Sequence, residues 1–178
     1  MVSVPLLLTA ASVLFAVAGP VPGVPAPPGG RFEGEMTAVV AARAAAQMKP
    51  LLDEMERDPS QPESVKADIR RKASRLTVAV YTAPGTIDEL VAFYSGKVAG
   101  ASFLFSEREI GKDLAETAQL GGFSLAPAAV KEWEGKKGRS ARWARPDGTL
   151  EIDIEDHLID PRDGRVTKQV VVMVTGAK

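Results

Sequence analysis

Residues 139–175 constrain the fold of this chain more than any other stretch. Three segments, "RSARWA", "TLEIDIEDHLI" and "RVTKQVVVMVTG", are rich in β-branched residues and are joined by "RPDG" and "DPRDG". In such connections Pro fixes φ, Asp bonds its own backbone, and Gly accepts a positive φ. Strands linked this closely run antiparallel, so the spacing predicts a three-stranded meander. Pairing Ile159 with Arg165 would set Leu158 against Val166, Ile154 against Val170 and Ile152 against Val172. Asp156 would then face Lys168 as the one charged inward pair. A slip of one residue would turn Asp153 and Glu155 inward, which a buried face disfavours.

Upstream, "LTVAVY" alternates as a half-buried strand and "APGT" turns the chain. Thr86 begins a helix with Glu89 three residues on, the signature of a capping box. Ile87, Leu90, Val91, Tyr94 and Val98 share one face of that helix, and "ASFLFSE" follows as a strand. The stretch "EGEMTAVVAARAAAQMKPLLDEMERD" carries an apolar stripe through Met36, Val39, Val40, Ala44, Met48, Leu51, Leu52 and Met55 near helical spacing. Pro50 is expected to kink or break that helix. "PESVKADIRRKASR" predicts a second helix with a solvated basic face, and "EREIGKDLAETAQLGG" a later one ended by its double glycine. The expected architecture is α+β: one βαβ-like unit and the meander in a single sheet, with helices on at least one face. Within a domain spanning 31–178, the divisions are helical 33–74, βαβ-like 75–107, a helical connection 108–136 and the meander 139–175.

The run "YTAPGTIDELVAFY", Tyr81 to Tyr94, resembles a recurrent pattern in poorly characterised secreted bacterial α+β proteins. In that pattern a strand ends near a Tyr-x-x-Pro turn, and the following helix carries an acidic residue ahead of Phe-Tyr. The resemblance implies export and this fold class. It implies no activity, and it assigns no residue a role.

The N-terminus points the same way. "MVSVPLLLTAASVLFAVAGP" has no charged side chain, and "AVA" at 16–18 presents small residues where a signal peptidase reads. Residues 1–18 are therefore expected to be a signal peptide cleaved after Ala18, although no Lys or Arg precedes the apolar core. The alternative is an uncleaved anchor facing outward, the only contact with a membrane that the sequence suggests. "GPVPGVPAPPGG", 19–30, is expected to be a solvated linker. The expected location is periplasmic or secreted.

Composition narrows the function. Of the 178 residues none is cysteine, which removes disulfides, thiolate nucleophiles, thiolate zinc sites and a lipoprotein anchor. A formal net charge of -1 offers no long-range pull on phosphate backbones, so nucleic acid is not an expected partner. There is no nucleophile elbow, phosphate loop or HExxH, and no cofactor is expected.

Two surfaces remain as candidates. The acidic strand holds Glu151, Asp153, Glu155, Asp156 and the sole histidine, His157. Asp153, Glu155 and His157 are the candidate metal ligands or acid-base groups, spaced about 6 to 7 Å apart along one strand face. If the first hairpin pairs Trp143 with Glu151, then Trp143, Val171 and Met173 flank Glu151 and Asp153. That patch would suit a partner or a cationic ligand. The expected function is a non-catalytic binding or structural module of the bacterial cell envelope, its partner an envelope protein or a glycan. The alternative is a hydrolase or metal-dependent enzyme working from the acidic strand around His157.

Overall fold

The strand that opens the βαβ-like unit forms the pivot of a sheet that both termini of the described chain reach. The computed structural model describes residues 17–160 and 162–177. In chain order they form β1 (Val17–Ala18), β2 (Arg31–Phe32), α1 (Gly34–Arg57), α2 (Glu63–Ser74), β3 (Leu76–Ala83), α3 (Ile87–Tyr94) and β4 (Ser102–Glu109). Then come α4 (Ile110–Gly121), α5 (Pro127–Trp133), β5 (Lys137–Ala144), β6 (Leu150–Glu155), β7 (Leu158–Ile159), β8 (Val166–Thr167) and β9 (Val170–Ala177). The main sheet runs β1-β3-β9-β6-β5-β4, with β2 also on β3 and a separate β7-β8 hairpin. The fold is α+β. β5, β6 and β9 are the expected meander, and they lie between β3 and β4, so the two strands of the βαβ-like unit border it on opposite sides.

One sheet face is apolar because every second residue of four strands is. Ala79 and Tyr81 of β3, Val172 and Val174 of β9, Ile152 and Ile154 of β6, and Ala141 and Trp143 of β5 pack under Ile87, Leu90 and Tyr94 of α3. The start of α3 is held by the capping box that the sequence shows: Thr86 accepts from the Glu89 amide and Glu89 from the Thr86 amide. The opposite face is covered over β3 and β9 by the N-terminal half of α1, where Met36 and Val40 meet Val80, Val171 and Met173. The Thr37 hydroxyl accepts the Val80 amide at 3.0 Å.

Four expectations need correction. Pro50 does not break α1, which continues through it to Arg57. The strand pairing also differs. Ile152 faces Val174 and Ile154 faces Val172, two positions away from the expected alignment, while Ile159 faces Val166. A shift of two conserves the inward face, so the apolar pattern is satisfied by both registers. One extra residue lies in the turn between Ile159 and Val166, and the other between β8 and β9, where 168–170 stand against 156–157. Asp156 does not meet Lys168; its Oδ1 accepts the Arg139 amide at 3.0 Å and lies 3.1 Å from His157 Nδ1.

The first hairpin is offset by one residue, so Trp143 faces Ile152 and Ala144 faces Glu151. Trp143 is therefore a core residue, 5 % exposed, on the face opposite the acids. Finally, residues 19–30 are not a solvated linker. The Gly19 amide bonds the Val78 carbonyl, Val21 is buried against Gly176, and the Tyr94 hydroxyl donates to the Pro25 carbonyl at 3.0 Å. The tract works as a strap that leaves β3 at Gly19, crosses the end of the sheet beside Leu150 and Gly176, and returns to β3 at Arg31. Residues 1–16 of the expected leader lie outside the described residues; Val17 and Ala18 pair with Thr77 and Val78.

Candidate functional site

The acidic strand forms the middle of the sheet face opposite α3. Reading across the strands, one row runs Leu104, Arg142, Asp153, Met173, Val80, and the next runs Ser106, Ser140, Glu155, Val171, Thr82. Alternation brings Glu151, Asp153, Val171 and Met173 to this face as expected, while Arg142 occupies the neighbouring position expected of Trp143. Val171 is buried against Met36 and Val80, so it contributes core rather than surface.

Burial sets the electrostatics of this face. Asp153 has a side chain 22 % exposed, and its carboxyl is held well above the usual range, chiefly by loss of solvent and then by its hydrogen bond with Glu151. Arg142 opposes the shift: it bonds Glu151 Oε2 at 2.5 Å and stands 3.7 Å from Asp153 Oδ1. Glu155 is also raised by burial, with His157 working against the rise. Asp113, on α4, is raised by burial even though Arg108 lies 2.6 Å from its Oδ1.

The sign of the resulting pH effect follows directly. Folded Asp153 keeps its proton at pH values where the unfolded chain has released it, so stability falls as pH rises from the ordinary carboxylate value towards the raised one. Asp153→Asn removes that slope. Urea unfolding at about pH 5 and about pH 8 is expected to show the variant gaining on the order of 1 to 2 kcal/mol relative to wild type over that interval. Parallel pH profiles for the two proteins would contradict it.

His157 is 2 % exposed and sits against Gly138 of β5. Its Nδ1 is engaged by Asp156, while its Nε2 and the Oδ2 of Asp113 are buried without hydrogen-bond partners among the described residues. Asp153, Glu155 and His157 are not gathered into a ligand set: among the described residues no group of three His, Asp or Glu side chains is arranged to hold a metal ion. The bend after Glu155 takes His157 off the line of the strand. The acidic face is therefore a partly desolvated charge network, with the imidazole buried at its end.

A second surface was missed from the sequence. β4 is the last strand of the sheet, paired with β5 along Ser102–Glu109 and with no strand on its other side among the described residues. Phe103, Leu104 and Phe105 are 50 %, 61 % and 41 % exposed. Phe103 leans on Trp143 with ring centroids 4.7 Å apart, and the Arg139 guanidinium lies 5.0 Å from the Phe105 ring. Arg139 is itself held by two hydrogen bonds to Asp88 at the start of α3. The result is a braced aromatic shelf beside an open strand edge. In the sequence, "ASFLFSE" reads only as a strand, and the strand order reveals that it is outermost.

Comparison with known protein families, with curated proteins and with solved structures finds no match to this chain.

Proposed function

We propose that the chain is an exported, non-catalytic binding module of the bacterial cell envelope, and that it engages a polypeptide partner by strand addition at β4. One observation carries the reading: three consecutive large apolar side chains stand exposed on the unpaired edge of an eight-residue strand. Edge strands of monomers are ordinarily short, charged or covered, because their free amides and carbonyls pair with other chains. Here the charges are confined to Glu107, Arg108 and Glu109, and the middle of the strand is open. A backbone edge reads peptide rather than sugar, which favours a protein partner over a glycan.

The hydrolytic alternative has less support. His157 has one nitrogen committed to Asp156 and is enclosed by the protein, so a substrate has no path to it. Export is supported by the uncharged apolar start of the chain. Cleavage after Ala18 would remove β1 and leave Gly19 as the new terminus at the Val78 carbonyl. Intact mass of the exported product is expected to lack residues 1–18.

The binding reading is tested by placing a photo-activatable phenylalanine analogue at Phe103 and, as a control on the exposed side of α4, at Glu116. Irradiation in the envelope is expected to give a polypeptide adduct from position 103 and none from 116. Equal labelling at both positions, or none at either, would sink the reading.

A further inference from the structure

We infer that the strand added at β4 comes from a second copy of this chain, paired antiparallel about a two-fold axis through Leu104. The inference rests on the binding reading and names its partner. It is carried by the self-complementarity of β4. In a two-fold antiparallel pair, directly opposed residues lie on the same sheet face. With Leu104 facing Leu104 of the second copy, Phe103 faces Phe105 twice and Ser102 faces Ser106 twice. Every large apolar side chain of the edge then meets another, and no charge meets a like charge: Glu107 falls opposite Ala101, and Arg108 opposite Gly100. Centring the axis on Phe105 would set Phe103 against Glu107 and Leu104 against Ser106. Centring it on Ser106 would set Leu104 against Arg108 and Phe105 against Glu107. Centring it on Phe103 would leave a single aromatic pair and set Leu104 against Ser102 and Phe105 against Ala101, so only the Leu104 axis pairs every large apolar side chain of the edge with another and places no charge over a ring.

Beyond the seam, Glu107 and Glu109 are already paired with Lys137 and Lys112, and Arg108 with Asp113, so the charged end of β4 needs no partner from the second copy. Phe103 and Phe105 are also held before association, by Trp143 and Arg139 respectively, so little side-chain freedom is lost on pairing.

The absence of cysteine allows a direct test, since one introduced thiol can pair only with its symmetry mate. Opposed residues in an antiparallel pair have Cα atoms about 4.5 to 5.5 Å apart, inside the range a disulfide bridges. Leu104→Cys, Phe105→Cys and Ser106→Cys are made singly in the full chain, oxidised, and separated with and without reductant. In parallel, sedimentation equilibrium is run on wild type and on Leu104→Lys, which places two ammonium groups against each other at the axis. The expected results are a reducible two-chain species dominated by Leu104→Cys, a two-chain mass for wild type, and a halved mass for Leu104→Lys with an unchanged circular dichroism spectrum. Strongest cross-linking at 105 or 106, or a one-chain mass for wild type at its highest soluble concentration, overturns the inference. If wild type sediments as one chain while position 103 still labels a different protein in the envelope, the self-pairing is wrong and the binding reading stands. If neither is seen, both fall.

Discussion

Trp143→Ala is expected to lower the stability of the folded chain by about 3 to 5 kcal/mol, the range for emptying the site of a buried aromatic. The size follows from position. Trp143 is 5 % exposed, faces Ile152 across the sheet, lies 6.2 Å from the Tyr94 ring, and supports Phe103 at 4.7 Å. Truncation therefore opens the core beneath α3 and removes the backing of the β4 shelf. Urea unfolding followed by circular dichroism reads the loss, and Trp133 remains as an independent fluorophore. A variant as stable as wild type would return Trp143 to the surface and undo the core assignment.

The second large effect is at Gly138. It lies within β5 and carries no positive φ, so backbone conformation alone does not demand glycine there. Space does: a Cβ would fall well inside van der Waals contact with Cε1 and Nδ1 of His157, and 3.2 Å from Asp156 Oδ1. Neither neighbour yields easily, because Asp156 is fixed by the Arg139 amide and the imidazole is enclosed. Gly138→Ala is expected to cost about 1 to 3 kcal/mol, towards the upper end, as overpacking of a tight site does. Combining it with His157→Ala removes the ring that the new methyl strikes, so the double variant is expected to be more stable than the sum of the two single losses. Strict additivity would show that the ring and the glycine do not meet.

Turn length explains why part of the C-terminal pairing was not legible. "RPDG" and "DPRDG" announce two turns, and the alternation of Leu150, Ile152 and Ile154 fixes which side faces inward. Both properties repeat every two residues, so they leave registers two apart equally satisfied. What separates them is the length of chain taken up by the turn between Ile159 and Val166 and by 168–170, which no local pattern encodes. The hairpin around "RPDG" failed differently: a one-residue difference in turn closure moved Trp143 to the opposite face. Trp carries no polarity signal strong enough to object. The α3 capping box, by contrast, was plain in the sequence because its partners are three residues apart.

The candidate sites divide along the same line. Glu151 and Asp153 share a face simply because strands alternate, and this much was readable. The loss of solvent at Asp153 was not, since it depends on how the neighbouring strands pack around it. The Pro/Gly tract of 19–30 read as solvent-facing because proline lacks an amide donor. Its carbonyls remain acceptors, and the Tyr94 hydroxyl finds one at Pro25.

This strap bears on how far assembly can go. With Gly19 bonded to the Val78 carbonyl and β2 paired with Tyr81 and Thr82, its two ends occupy part of the border of the sheet that would otherwise compete with β4 for a neighbouring molecule, and both remain after cleavage at Ala18. A sheet with two free borders can recruit at both ends and grow into a fibre. With part of that border occupied by its own chain, a pairing of the kind proposed at β4 would be complete after one event.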